Sequence, residues 1–349
     1  RSSAASDVYK RQIEGAELIG ETVSDYTITA GDVKLDIADL EKKYDAVLEP
    51  IFKNSLPEML RPVSVAYDKG CDLLINKAPG TIAKPKVLIP VFPGTNCEYD
   101  MAAAFNRYGG EAEIFVIRNL SAKNMEDSVN EFAKRIENSQ MIAVPGGFSG
   151  GDEPEGSAKF INAFFRNPKI KDAVENMLYA RDGLMIGICN GFQALIKLGL
   201  VPFGKIVPLS SESPTLTYNT IGRHQSQLAL TKICTNKSPW LMHCKVGEVY
   251  NIPISHGEGR FVASDEVISK LIENGQVATQ YVDLNGEPTM DLAYNPNSSM
   301  CAIEGIISPD GRVLGKMGHT ERISSDTCVN VDGNKEQLLF KGGVDYFKL

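Results

Sequence analysis

The sequence predicts an α/β protein: a mostly parallel sheet flanked by helices, with a β-rich C-terminal part. Three observations predict it. Between residues 86 and 188, apolar runs short enough for strands alternate with segments of helical periodicity, the pattern of βαβ units. The run before Cys189 stops at a residue bracketed by glycines, and a helical pattern starts at once, so strand, sharp turn and helix follow one another. After Leu200 the pattern becomes richer in strands.

Composition sets the outer limits. The chain has 349 residues, 43% hydrophobic and 23% charged, which suits a globular chain of two domains or one large one with an appendage. A net charge of -8 argues against nucleic acid or an anionic membrane as partner. No stretch approaches the roughly 20 apolar residues of a membrane span. The seven cysteines are scattered, with no C-x-x-C pair, so neither a zinc site nor a disulfide framework is suggested, and a reducing, cytoplasmic setting is expected.

Residues 1–12 are set aside as sequence that need not be native. From 13 to 60 the pieces lack a complete core. Residues 26–29 and 32–37 read as strands, and the stretch from Asp36 through Val47 and Leu48 turns helical. Residues 62–85 are turn-rich and read as a linker. A second regime starts at Lys86. Residues 87–92 form a strand ended by Pro93-Gly94-Thr95-Asn96, 98–108 a helix, and 113–117 the next strand. Ser121 caps a helix to about residue 137. Residues 141–144 are a third strand, running into Pro145-Gly146-Gly147-Phe148-Ser149-Gly150-Gly151-Asp152. Helices are expected near 156–166 and 168–180, then the strand that reaches Cys189. Further strands are expected at 228–233, 248–254, 276–282, 301–307 and 312–317. Ligands in such sheets bind beyond the carboxyl ends of the strands.

Cys189 therefore stands where a nucleophile would stand, near a helix N-terminus that favours a negative charge. A buried structural cysteine fits the segment equally well. A thiolate nucleophile needs a base, and that base a carboxylate to fix its tautomer. Two of the four histidines offer both, in His256-Gly257-Glu258-Gly259-Arg260 and His319-Thr320-Glu321-Arg322. His319 follows a strand directly, as Cys189 does, which favours it over His256. Gly146-Gly147-Phe148 suits an oxyanion site built from backbone N–H groups, with Asn190, the residue after the cysteine, as second donor. Cys97 is a competing nucleophile, ranked second and read as structural. No G-x-G-x-x-G, Walker loop or H-E-x-x-H spacing occurs, so no dinucleotide, P-loop or metal site is indicated.

Taken together, Val91 to Glu98, Pro145 to Asp152, Gly187-Ile188-Cys189-Asn190-Gly191-Phe192-Gln193, His256 to Arg260 and His319 to Arg322 resemble the class I, triad glutamine amidotransferases. The match is nearest the glutaminase domains of the phosphoribosylformylglycinamidine synthase family and spans about residues 86–325. The resemblance implies a flavodoxin-like core and a triad of Cys189, His319 and Glu321. It makes Gly146, Gly147, Phe148 and Asn190 oxyanion or substrate contacts, with Gln193 in the pocket for L-glutamine. It implies no cofactor or metal here; ATP and magnesium belong to a synthetase portion of the same polypeptide, of which residues 1–85 would be the tail and linker and 86–349 the glutaminase domain. One departure stands out: the family often has proline on both sides of the histidine, where this chain has Gly318 and Thr320. Another cysteine hydrolase of the same fold, or a non-catalytic regulatory domain, are the rival expectations, and the terminal His-x-Glu weighs against both.

Overall fold

The structure is a computed structural model that describes residue 15 and residues 19–51, 62–75, 81–149 and 157–349. The expected non-native stretch 1–12 and the motif residues Gly150, Gly151 and Asp152 lie outside the described residues. Two compact units divide the chain, Arg1–Ser55 and Leu56–Leu349.

In the first unit, β1 (Thr27–Ala30) and β2 (Val33–Asp36) form an antiparallel hairpin. Asp36 then caps α1 (Ile37–Leu48), its carboxylate accepting from Asp39 N at 3.1 Å. No residue of α1 is buried, as expected of a piece without a core of its own.

The second unit is built on a nine-stranded sheet. Its parallel part consists of β3 (Lys86–Val91), β4 (Glu111–Val116), β5 (Met141–Val144) and β6 (Leu184–Ile188). All positions of β5 and β6 are buried, which explains their unbroken apolar sequence. The layers against them come from α2 (Glu98–Arg107), α3 (Ala122–Glu137), α4 (Lys159–Phe165), α5 (Pro168–Glu175) and α6 (Asn190–Leu198). Ser121 caps α3 as expected, accepting from Asn124 N at 3.1 Å. Phe92, Phe132, Phe164 and Phe165 stack edge to face or tilted in the core.

The β-rich part adds a two-stranded antiparallel ribbon, β7 (Thr215–Tyr218) with β10 (Glu258–Val262), and completes the sheet. Here β8 (Gln225–Ile233), β9 (Val249–His256), β11 (Val277–Tyr281), β12 (Ile303–Ile307) and β13 (Val313–Lys316) give the order β4-β3-β5-β6-β13-β12-β11-β8-β9. Strand β13 is parallel to β6, and the remaining pairs beyond it are antiparallel. The sheet curls so far that Pro253 O of β9 accepts from His319 N, just past β13, at 2.8 Å.

Register decides where the chemistry collects. Val144 is opposite Gly187, and Ile188 is opposite Lys316, so β5, β6 and β13 end side by side. The chain that leaves them carries Gly146, Cys189 and His319.

Residues 62–75, expected as linker, are instead packed on the second unit. Val65 and Cys71 are 3% exposed, Tyr67 bridges Thr235, and Val65 N donates to Gln280 Oε1 at 2.9 Å. The turn-rich composition reflected an irregular strap, with its backbone paired to the sheet. The sequence pattern also passed over the β7–β10 ribbon and two helices, α7 (Asp265–Glu273) and α8 (Leu339–Tyr346).

Candidate active site

The turn between β6 and α6 is strained where the thiol sits. Cys189 has φ +54° and ψ -108°, a conformation costly for a residue with a β-carbon and typical of positions where geometry is imposed for function. The glycines beside it permit the tight approach. A β-carbon at Gly191 would overlap Val144 O of the neighbouring strand. Cys189 is 5% exposed, and its Sγ lies 3.8 Å from Ser255 O.

His319 and Glu321 are 1% and 3% exposed and meet at 2.6 Å, Nδ1 to Oε1. With Nδ1 committed to the carboxylate, Nε2 is the nitrogen left to exchange a proton, and it is buried without a hydrogen-bond partner among the described residues. Burial alone would lower the pKa of His319. The Glu321 carboxylate, with Cys189 and Cys97 adding to it, reverses the balance and holds the ring well above its ordinary value. Cys189 and His319 converge over Gly146. A β-carbon built there would stand 2.7 Å from His319 Cε1, 3.2 Å from Cys97 Sγ and 3.4 Å from Cys189 Cβ, so a bare Cα leaves the room that the His319 ring occupies.

The rival base is placed differently. His256 is 2% exposed, and neither ring nitrogen has a hydrogen-bond partner among the described residues. Burial, reinforced by His319 and His224, pushes its pKa down to about 3, so the ring is neutral. It has no carboxylate to orient it, despite the His-x-Glu spacing.

Cys97 is closer to the chemistry than a structural reading implied. Its Sγ lies 3.9 Å from His319 Nδ1, on the Glu321 side of the ring. The thiol donates to Asn96 Oδ1 at 3.0 Å and receives the Arg322 guanidinium at 3.0 Å. Cys97, His319 and Glu321 present atoms within 4.8 Å of one another, a donor set that zinc could accept. Arg322 places a positive charge on that sulfur, which opposes a cation there.

The glycine segment needs one correction. Phe148 N donates to Gly94 O at 2.9 Å, and Gly146 O accepts from Asn96 N at 3.2 Å, so the turn after β3 clamps the segment. The Phe148 N–H is therefore spent on the clamp, and this residue's part in the site is its ring, which is 62% exposed and 6.1 Å from that of His224. Gln193 is held on both sides: Asn190 Nδ2 donates to its Oε1 at 2.9 Å, and its Nε2 donates to Glu258 O.

Gly147, Phe148, Cys189 and Gln193 open onto a cavity of about 320 Å³, whose other walls include Tyr218, Arg223, His224, His256 and Glu258. That volume suits a small amino acid. Sequence reasoning missed Tyr218, Arg223 and His224. The one signal for them was a cation and a histidine adjacent in a glycine-containing turn before β8.

The profile of the CobB/CobQ-like glutamine amidotransferase domain matches residues 84–347. The phosphoribosylformylglycinamidine synthase subunit PurQ of Chlorobium chlorochromatii (strain CaD3) is 34% identical over 262 residues, covering 72% of this chain and 93% of that protein. The corresponding subunit of Aquifex aeolicus (strain VF5) is 33% identical over 249 residues, 71% of this chain and 95% of its own. Among solved structures, PurLQS from Thermotoga maritima aligns with a TM-score of 0.54 at 26% identity, covering 76% of this chain and 100% of the matched one.

Proposed function

Because the chain belongs to the CobB/CobQ-like glutamine amidotransferase domain family, and is a glutaminase by that membership, we propose that Cys189, His319 and Glu321 are its catalytic triad. The observation that carries this reading is the His319–Glu321 bond, with Cys189 at the strained elbow beside Gly146 and opening onto the cavity.

The Cys189 sulfur attacks the side-chain carbonyl carbon of L-glutamine. The backbone N–H groups of Gly147 and Asn190 hold the oxyanion, a donor pair that acts most strongly in a water-poor site. The tetrahedral intermediate collapses by breaking the C–N bond, and His319 Nε2 gives its proton to the departing amine, which leaves as ammonia. Water then attacks the γ-glutamyl thioester. His319 takes the water's proton, the C–S bond breaks, and glutamate is released with the thiolate restored. Glu321 holds the imidazole tautomer throughout. Gln193 and Arg223 line the same cavity as Cys189, and the Arg223 guanidinium is a cation there that suits the substrate's carboxylate.

The ammonia converts the amide of formylglycinamide ribonucleotide to the amidine in purine biosynthesis, the product after which the relatives are named. ATP and magnesium act at the synthetase site and not in this chain. We place that synthetase in the same cytoplasmic polypeptide, with the first unit, before residue 56, belonging to its end and residues 62–75 to the glutaminase. Among the described residues, no helix is long and apolar enough to cross a membrane.

Activity of the complete enzyme tests the triad. Cys189→Ser and His319→Ala should each reduce glutamate release by at least about 10³-fold, as loss of a nucleophile or its base does. Cys97→Ser should retain most of it. Loss in Cys97→Ser with retention in Cys189→Ser would reverse the assignment of the nucleophile.

A further inference from the structure

One buried pair of charges lies beside the triad and is not part of it. Lys316, the last residue of β13, and Glu304 of β12 form an ion pair at 3.4 Å, with 1% and 0% of their side chains exposed. Removing two charges from water is expensive, and a buried pair seldom repays the cost in stability alone. What this pair holds is specific. Glu304 Oε1 accepts from Gly318 N at 2.6 Å, and Lys316 Nζ donates to Gly318 O at 3.1 Å. The two charges thus grip the N–H and the C=O of one residue, the one that precedes His319.

The grip continues past the histidine. Lys316 Nζ also donates to Thr320 Oγ1 at 2.9 Å, and that hydroxyl donates to Gln337 Oε1 at 2.9 Å. On the opposite side, Glu304 Oε2 accepts from Thr279 Oγ1. His319 N is tied to Pro253 O. Gly318 N and O, His319 N and Thr320 Oγ1 are thus all bonded, and the imidazole projects from a segment held on both sides.

We infer that Lys316, Glu304 and Thr320 are positioning residues: a buried polar clamp that sets the direction of the His319 ring toward Cys189. The clamp touches neither substrate nor sulfur. Its contribution is geometric, and a displacement near 1 Å at a reacting group can cost on the order of 10²-fold in rate. This inference rests on the reading of His319 as the base.

The test uses the complete enzyme and three variants. Thr320→Val preserves shape but removes the hydroxyl between Lys316 and Gln337, while Thr320→Ser restores it. Lys316→Met combined with Glu304→Gln removes both charges together, so neither is left buried alone. Thr320→Val and the double variant should lower kcat for glutamate release about 10- to 100-fold, with KM for glutamine within about 2-fold of wild type. Thr320→Ser should recover most of the rate. The alkaline limb of the pH profile should move toward neutral as the His319–Glu321 bond loosens. Should the double variant fail to fold, the Thr320 pair decides. Wild-type kcat in Thr320→Val, or a rise in KM with kcat unchanged, would overturn the clamp. His319→Ala measured in parallel separates the two readings: if it keeps its activity, the assignment of the base fails and the clamp with it, whereas its loss of activity beside wild-type kcat in Thr320→Val overturns the clamp alone.

Discussion

Glu321 gives His319 its chemical character. Burial would strip the ring of its proton, yet the carboxylate at 2.6 Å keeps it protonated beyond the ordinary range. The stability that this pair contributes is complete below the unfolded-state pKa and is lost as pH rises through the elevated folded-state value. On the proposed triad, catalysis would follow the same limb, since the leaving ammonia would take its proton from this ring. Glu321→Gln should therefore lower kcat and shift the alkaline limb of the kcat/KM profile toward neutral pH; an unmoved limb would mean that another group sets it. His256 has the opposite sign. With its pKa depressed to about 3, the unfolded chain binds the proton first. The neutral ring's contribution is complete above pH 6.5 and lost as the pH falls toward 3. Replacing it in His256→Gln should flatten the dependence of urea midpoint on pH across that window. These two histidines occupy the same His-x-Glu grammar, and the sequence favoured His319 by its place after a strand. What separates them physically is long-range packing: one finds its carboxylate, and the other is enclosed beside Gly259 without one.

At the scale of elements, the carboxyl ends of β5, β6 and β13 bring the site together, and the tight elbow depends on Gly191. Gly191→Ala would drive a β-carbon into the backbone oxygen of Val144, which cannot swing aside as a side chain can. It should destabilise the protein by at least about 2 kcal/mol in urea unfolding, with loss of activity. Strands β5 and β6 were legible because burial on both faces leaves continuous apolar runs, and Ser121 marked the start of α3. The Phe148 N–H was not legible as a spent donor, because its partner, Gly94 O, comes from a turn more than fifty residues earlier. Gly318 and Thr320, which depart from the family's prolines, also acquire a reason only in three dimensions. A proline at 318 would remove the N–H that Glu304 accepts, and one at 320 would remove the hydroxyl that Lys316 and Gln337 share.

For the molecule as a whole, the α/β class and the β-rich second part were written in the order of apolar runs and glycine turns. The closure of the sheet was not, since the antiparallel strands β8, β9, β11 and β12 announce their pairing only through partners distant in sequence. The strap at 62–75 was missed for the same reason: polar, turn-rich residues say nothing of the edge they lie along. The central claim is that Cys189 is the nucleophile that takes up the γ-glutamyl group, and covalent trapping tests it most directly. The complete enzyme is incubated with an electrophilic glutamine analogue, digested, and the adduct located by mass spectrometry. The account predicts one adduct, on Cys189 in the peptide that contains Gly187 to Phe192, prevented by excess glutamine and absent from Cys189→Ser. An adduct on Cys97, or undiminished labelling in Cys189→Ser, would contradict it.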